Sequence, residues 1–381
     1  MNQKEINEIR RRLTPDRTNI SHIYGYYVNG EKQVISTSEL SLAVMEKNDV
    51  EKYMDLLKKS LSGRIGKNLA DIEFTSQQVI DGEEHKLLMD LRECRLEDAE
   101  LRRKLCQKII DVLSLEDQSN YLILLAYDVY DVPFKGKDNI TQSDHSEEVF
   151  RYILCGICPV KSKKAELGYD TGENAFRMSE AVPVVGSPEL GFLFPAFDDR
   201  RANIYNAVFY SKNTSVMHRE VIESVFHTAS PMAPGEQKNA FSDAITQSLE
   251  GECSFNVVQS VHQQICERIE LHKQLKEPDP LELSAGDLAG ILRDSGVDEE
   301  KIQSFREKCE EQFGDAAGLN PNNIIESRKF EVVTPSVKIT VAPEYSHMIR
   351  TKMVDGKQCL VIPVDGGVEI NGVGVHTKAE D

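Results

Sequence analysis

The segment YLILLAYDVYDVPF at 121–134 is nearly continuous in apolar residues. A strand with one wet face alternates apolar and polar side chains, so a run of this kind is predicted to be a strand covered on both faces. A second such segment, VFRYILCGICPV at 149–160, follows KGKDNITQSDHSEE, which reads as a polar loop. Two further strands, LGFLFPAF at 190–197 and NIYNAVFY at 203–210, are joined by Asp198, Asp199, Arg200 and Arg201.

The flanking sequence supplies helices. Residues 2–13 read as a short helix stopped by Pro15. HIYGYYVNGEKQVIS at 22–36 reads as a hairpin, because Asn29-Gly30 tolerates the positive φ angles of a type I′ turn. A helix over 38–61, a strand over 69–74 and helices over 76–93 and 97–114 follow. The last carries a stripe of Leu101, Leu105, Ile109 and Leu113. Three more helices are expected at 215–228, 235–249 and 255–274, with Val258, Val261, Ile265 and Ile269 marking the buried face of the third. KEPDPLEL at 276–283 is the best linker candidate. Beyond it lie two acidic helices and four short strand candidates ending in VEINGVGV; Asp355-Gly356 marks another hairpin, and the tail HTKAED is expected to fray. Strands grouped with strands and helices with helices indicate α+β: a mixed or antiparallel sheet with flanking helices, then a helical segment and a small β region. The expected division is 1–115, 116–275 and 284–381.

No run of about eighteen apolar residues exists, so neither a membrane-spanning helix nor a membrane partner is expected. The polar N-terminus offers no secretory signal, which makes the cytoplasm, including its nucleoid, the default compartment. The eight cysteines are then thiols that behave mainly as small hydrophobes. A net charge of −18 opposes nonspecific binding to nucleic acid. The balance is uneven: +3 over residues 1–70 and −9 over 231–330.

Several motifs invite chemistry and fail on spacing. Ser62-Gly63-Arg64-Ile65-Gly66-Lys67-Asn68 lacks the four-residue separation and the hydroxyl of a phosphate loop, and Gly63 reads better as a left-handed helix cap. Cys155 and Cys158 form the only C-x-x-C; no second pair completes a zinc site, and residues three apart on a strand face opposite sides. They remain weak metal candidates. His262 and Cys266, one helical turn apart, are explained by core packing, and His218 and His227 have the wrong spacing for a shared face. The reading leans against an enzyme and implies no cofactor.

Asp198, Asp199, Arg200 and Arg201 are the densest charge cluster. They can bind a ligand or partner, or they can be a solvated turn whose charges neutralise one another. Arg10, Arg11, Lys58, Lys59, Arg64 and Lys67 can form a nucleic-acid contact if the fold gathers them. Tyr24, Tyr26 and Tyr27 nearby are expected to pack across strands.

The strings EIRRRLTPDRTNISHIYGYYVNG, SGRIGKNLADIEFTSQQV, YILCGICPV and ELGFLFPAFDDRRANIYNAVFYSKN resemble the bacterial domain of unknown function 4317 family along the full chain. That resemblance implies no activity. From about 120 to 370 the order of segments, closing with KFEVVTPSVKITVAPEYSHMI and VIPVDGGVEING, is similar to the bacterial nucleoid-associated protein family. It implies a large α+β protein found with compacted DNA. The expected function is therefore a non-catalytic binding or scaffold protein, acting on DNA or a DNA-bound partner, with homo-oligomerisation open. The rivals are a metal- or nucleotide-dependent enzyme near Asp198 and Asp199, and an acidic protein-interaction module.

Overall fold

A computed structural model describes residues 1–115, 118–135, 141–162, 166–178, 181–275, 277, 280–314, 318–364, 367–370 and 372–375. Contacts divide the chain into a first unit spanning Met1–Glu236 and a second made of Gln237–Glu277 and Leu281–Asp381. Among the described residues no helix is long and apolar enough to cross a membrane.

The first unit contains α1 (Gln3–Arg12), β1 (His22–Val28), β2 (Val34–Ser41), α2 (Lys47–Lys59), β3 (Leu69–Glu73), α3 (Ser76–Asp81), α4 (Glu83–Glu93) and α5 (Ala99–Val112). Then come β4 (Asn120–Lys135), β5 (Thr141–Ser162), β6 (Leu167–Asp170), β7 (Ala175–Met178), β8 (Pro183–Val185), β9 (Leu190–Phe194), β10 (Ala196–Asp198), β11 (Arg201–Asn203), β12 (Asn206–Ser211) and α6 (Arg219–Phe226). The main sheet is antiparallel, in the order β2-β1-β4-β5-β9-β12-β3, with β8 pairing onto the end of β5.

Period-two alternation sends successive side chains to opposite faces of this sheet. Ile123, Leu125, Cys155, Ile157, Phe192 and Phe209 pack with α4, α5 and α6. Leu124, Ala126, Leu154, Cys158, Leu193 and Val208 pack with α1 and α2. The central strands β4, β5, β9 and β12 are thus apolar on both sides because helices cover both, as the run at 121–134 requires. Full burial of each such Leu, Ile or Phe contributes roughly 1.5–3 kcal/mol. In α1, Asn2 and Glu5 form a capping box, and Ile6, Ile9 and Leu13 share the buried stripe.

Four expectations are corrected here. The helix over 38–61 begins only at Lys47, because residues 34–41, rich in hydroxyl and β-branched side chains, extend the sheet as β2. The loop over 135–148 is strand from Thr141 onward, where the backbone ladder continues to Lys135↔Thr141; residues 136–140 lie outside the described residues. The hairpin at Asn29-Gly30 is real, but its turn is not type I′. Positive φ falls on Lys32, and the Asn29 side chain organises the loop by accepting from the backbone N–H groups of Glu31 and Gln33. Finally, residues 1–115 are not separate from the central strands, since β1 pairs with β4 and β3 with β12.

The second unit holds α7 (Pro234–Leu249), α8 (Phe255–Leu275), α9 (Ala285–Asp294), α10 (Glu299–Phe313) and α11 (Pro321–Ile324). They are followed by three hairpins: β13 (Phe330–Val333) with β14 (Lys338–Val341), β15 (Arg350–Val354) with β16 (Lys357–Val361), and β17 (Val368–Ile370) with β18 (Val373–Val375). Among the described residues, six strands therefore stand where four were expected. Asp355 and Gly356 both take positive φ, as the type I′ reading requires. The core joins Phe241, Ile265, Ile291 and Phe305, and Val261, Ile265 and Ile269 are buried. Val258 is not; it is 43% exposed at the start of α8. Linker residues 276, 278 and 279 and the tail 376–381 lie outside the described residues.

Candidate functional site

Asp198, Asp199, Arg200 and Arg201 form a tight turn between β10 and β11, with Asp199 and Arg200 at positive φ. The arginines are occupied. One Arg200 nitrogen donates to both oxygens of Glu8, at 2.7 and 2.8 Å, and another donates to the Pro133 carbonyl at 2.9 Å. Arg201 pairs with Glu148 at 3.2 Å. Asp198 accepts from the Asn203 amide, and Asp199 is exposed. The cluster binds other parts of its own unit rather than offering an open clamp. Beside it, Asp128 is 1% exposed and accepts from Tyr152 Oη at 2.6 Å and from the backbone N–H of Asn19 at 2.8 Å. Arg12 lies 3.6 Å from Asp128 and over the Tyr130 ring. These contacts dock α1 on the sheet.

Cys155 and Cys158 project from β5 into the two different cores, on opposite faces of the sheet. Burial pushes both thiols up, Cys158 to about 12. The two thiols, weak metal candidates from their spacing, do not meet: the sheet itself lies between the sulfurs, and neither is readily ionised. In α8 the Cys266 sulfur lies 3.8 Å from His262 Nδ1, but burial raises that thiol to about 11. His262 Nε2 meets the Glu326 carbonyl, and its ring packs on Phe330. Among the described residues no group of three or more His, Cys, Asp or Glu is placed to hold a metal ion.

Arg10, Arg11, Lys58, Lys59, Arg64 and Lys67 all belong to α1, α2 or the loop after α2, the layer on one face of the sheet. The loop is tied to α1, because Gln3 accepts from the Ile65 N–H and donates to the Gly63 carbonyl. Gly63 has φ +93, but it is not the helix cap expected of it: α2 closes at the C-cap Ser60, three residues earlier, and Gly63 belongs to the loop that follows. Among the described residues no carboxylate lies within 4 Å of these six cations. Tyr24 and Tyr26 pack in the opposite core, so they do not serve as stacking platforms beside them.

Sequence spacing passed over a cavity of about 190 Å³ in the first unit. It lies where β5 and β12 end and β4 and β9 begin, as the pairs Asn120↔Val160, Ile157↔Leu190 and Ser211↔Leu190 show. The acidic–arginine turn lies toward the other end of these strands. Ser114, Lys161, Glu189, His218 and Glu220 line the cavity. His218 caps α6 at φ 47 and ψ 54, a left-handed conformation that costs a non-glycine residue about 1 kcal/mol or more. Its Nδ1 faces Glu220 Oε1 at 3.4 Å, and this contact holds the Glu220 carboxyl below the usual range. Glu189 is paired with Lys212. The only sequence signal was His218-x-Glu220 at the mouth of an apolar helix.

No curated protein matches the chain. A family model described as a domain of unknown function (DUF4317) matches residues 1–373, nearly the whole length. The chain belongs to the domain of unknown function 4317 family.

Proposed function

We propose that this chain is a non-catalytic binding protein that contacts nucleic acid through the α1–α2 layer. The observation that carries the reading is the absence, among the described residues, of carboxylate partners for Arg10, Arg11, Lys58, Lys59, Arg64 and Lys67. Arg12, Arg200 and Arg201 in the same unit are all engaged by acids. Unpaired cations on one layer give a local field that can attract phosphate even though the net charge is −18. The enzyme alternative is disfavoured, because Asp198 is held by the Asn203 amide and the Met1 ammonium and the C-x-x-C thiols are split between two cores.

The test is fluorescence anisotropy with a short DNA duplex over a potassium chloride series. If about four phosphates are neutralised, log affinity falls against log salt with a slope of roughly −3 to −4. Reversing Lys58, Lys59 and Arg64 to Glu should remove most of that slope. Binding that ignores salt, or no binding at low salt, rejects the reading.

A further inference from the structure

We propose that the His218 cavity is a binding site for a small ligand bearing a carboxylate or phosphoryl group. This site is independent of the α1–α2 layer. His218 is only 8% exposed, and its Nδ1 is committed to Glu220. Its Nε2 has no protein partner among the described residues, although the residue lines the cavity. That nitrogen is open to the cavity rather than sealed in protein, so a ligand oxygen placed there can meet it. The arrangement resembles carboxylate–histidine pairs in which one ring nitrogen is fixed so that the other can meet a ligand.

Charge selects the ligand class. Of the two carboxylates that line the cavity, Glu189 is paired with Lys212 and Glu220 is held against His218 Nδ1. Lys161, at the end of β5, has no carboxylate within 4 Å among the described residues. The cavity therefore offers a spare ammonium, an imidazole that donates from Nε2 when protonated, and the Ser114 hydroxyl. An anionic oxygen group can accept from all three. The volume of about 190 Å³ leaves room for a small anionic head group.

The test uses the full chain and two probes, inorganic phosphate and acetate, followed by the imidazole resonances in NMR. One of the probes should give a saturable shift of a single imidazole signal, and His218→Asn should erase both the signal and the binding. Asn accepts left-handed backbone more readily than most residues, so the cap geometry is retained. Lys161→Met, at an exposed position that leaves the fold intact, should weaken the same binding about tenfold. Whichever anion binds more tightly identifies the carboxylate or the phosphoryl as the natural group. No saturable shift with either anion overturns the proposal. So does binding that is unchanged in Lys161→Met, whether or not His218→Asn folds.

Discussion

Arg200 grips Glu8 across the first unit, with one guanidinium nitrogen within 2.8 Å of both carboxylate oxygens. The same Glu8 accepts from Tyr130 Oη at 2.7 Å, so the β10–β11 turn, α1 and β4 meet at one carboxylate. Both partners are 23% exposed, which places the pair between a screened surface bridge and a buried one. Arg200→Met should therefore lower stability by about 1–3 kcal/mol in urea unfolding. Arg200→Lys should recover only part of this, because a lysine cannot reach Glu8 and the Pro133 carbonyl with separate nitrogens. Equal stability in all three proteins would reduce the turn to a solvated loop.

Two glycines that face each other in the sheet should respond very differently to a methyl group. Gly156 of β5 pairs with Gly191 of β9, and buried Ser60 at the end of α2 sits over both. A Cβ on Gly156 would meet Ser60 at 3.6 Å, an ordinary contact. On Gly191 it would meet the Cys155 carbonyl oxygen at 2.4 Å and Ser60 Cβ at 2.9 Å. Backbone cannot swing aside as a flexible side chain can, so Gly191→Ala should cost about 2–3 kcal/mol or more. Gly156→Ala should stay within about 1 kcal/mol. Thermal melts of the two variants decide this, and similar losses would contradict it.

What could be read in advance follows from where each signal is stored. The strands at 121–134, 149–160, 190–197 and 203–210 announce themselves because burial on two faces leaves most of their residues apolar. Residues 34–41 and 141–148 are strands by virtue of their neighbours, which supply the ladder that their own side chains do not advertise. The turn at 198–201 was visible as a turn, but its meaning depends on Glu8, a carboxylate 192 residues from Arg200. The His218 cavity was invisible for the same reason. Ser114 enters from the α5–β4 connection, Lys161 from the end of β5, Glu189 from just before β9, and His218 from the cap of α6.

Cys155 and Cys158 should behave as two independent core residues. Burial raises both thiols, so neither should react with a thiol reagent at pH 8 in the native state, and both should react once the chain is unfolded. Their alanine variants should each cost about 1–2 kcal/mol, and the double variant should cost the sum, since the sulfurs occupy separate cores. A shared metal would give strong coupling instead, with metal released on loss of either thiol. Elemental analysis of the wild type beside the double-mutant cycle distinguishes the two.

The start of α9 should give the second unit a measurable acid-dependent component. Asp287 accepts from the Ser284 hydroxyl at 2.6 Å and from its N–H at 2.9 Å, closing a capping box. The Ser284 hydroxyl and backbone hold the carboxyl below its ordinary value of 3.8, and Arg268 adds to the effect. A carboxylate whose folded-state pKa is depressed stabilises the fold above its unfolded pKa, and that contribution is lost as pH falls through the folded value. Asp287→Asn should therefore be less stable than wild type at pH 7, by about 0.5–1 kcal/mol given that the side chain is half exposed. As pH falls below about 4 the wild type should lose this advantage while the variant does not, so the two urea midpoints converge. A gap of constant size between pH 7 and pH 3 would mean that Asp287 acts by shape alone and that its charge does not contribute.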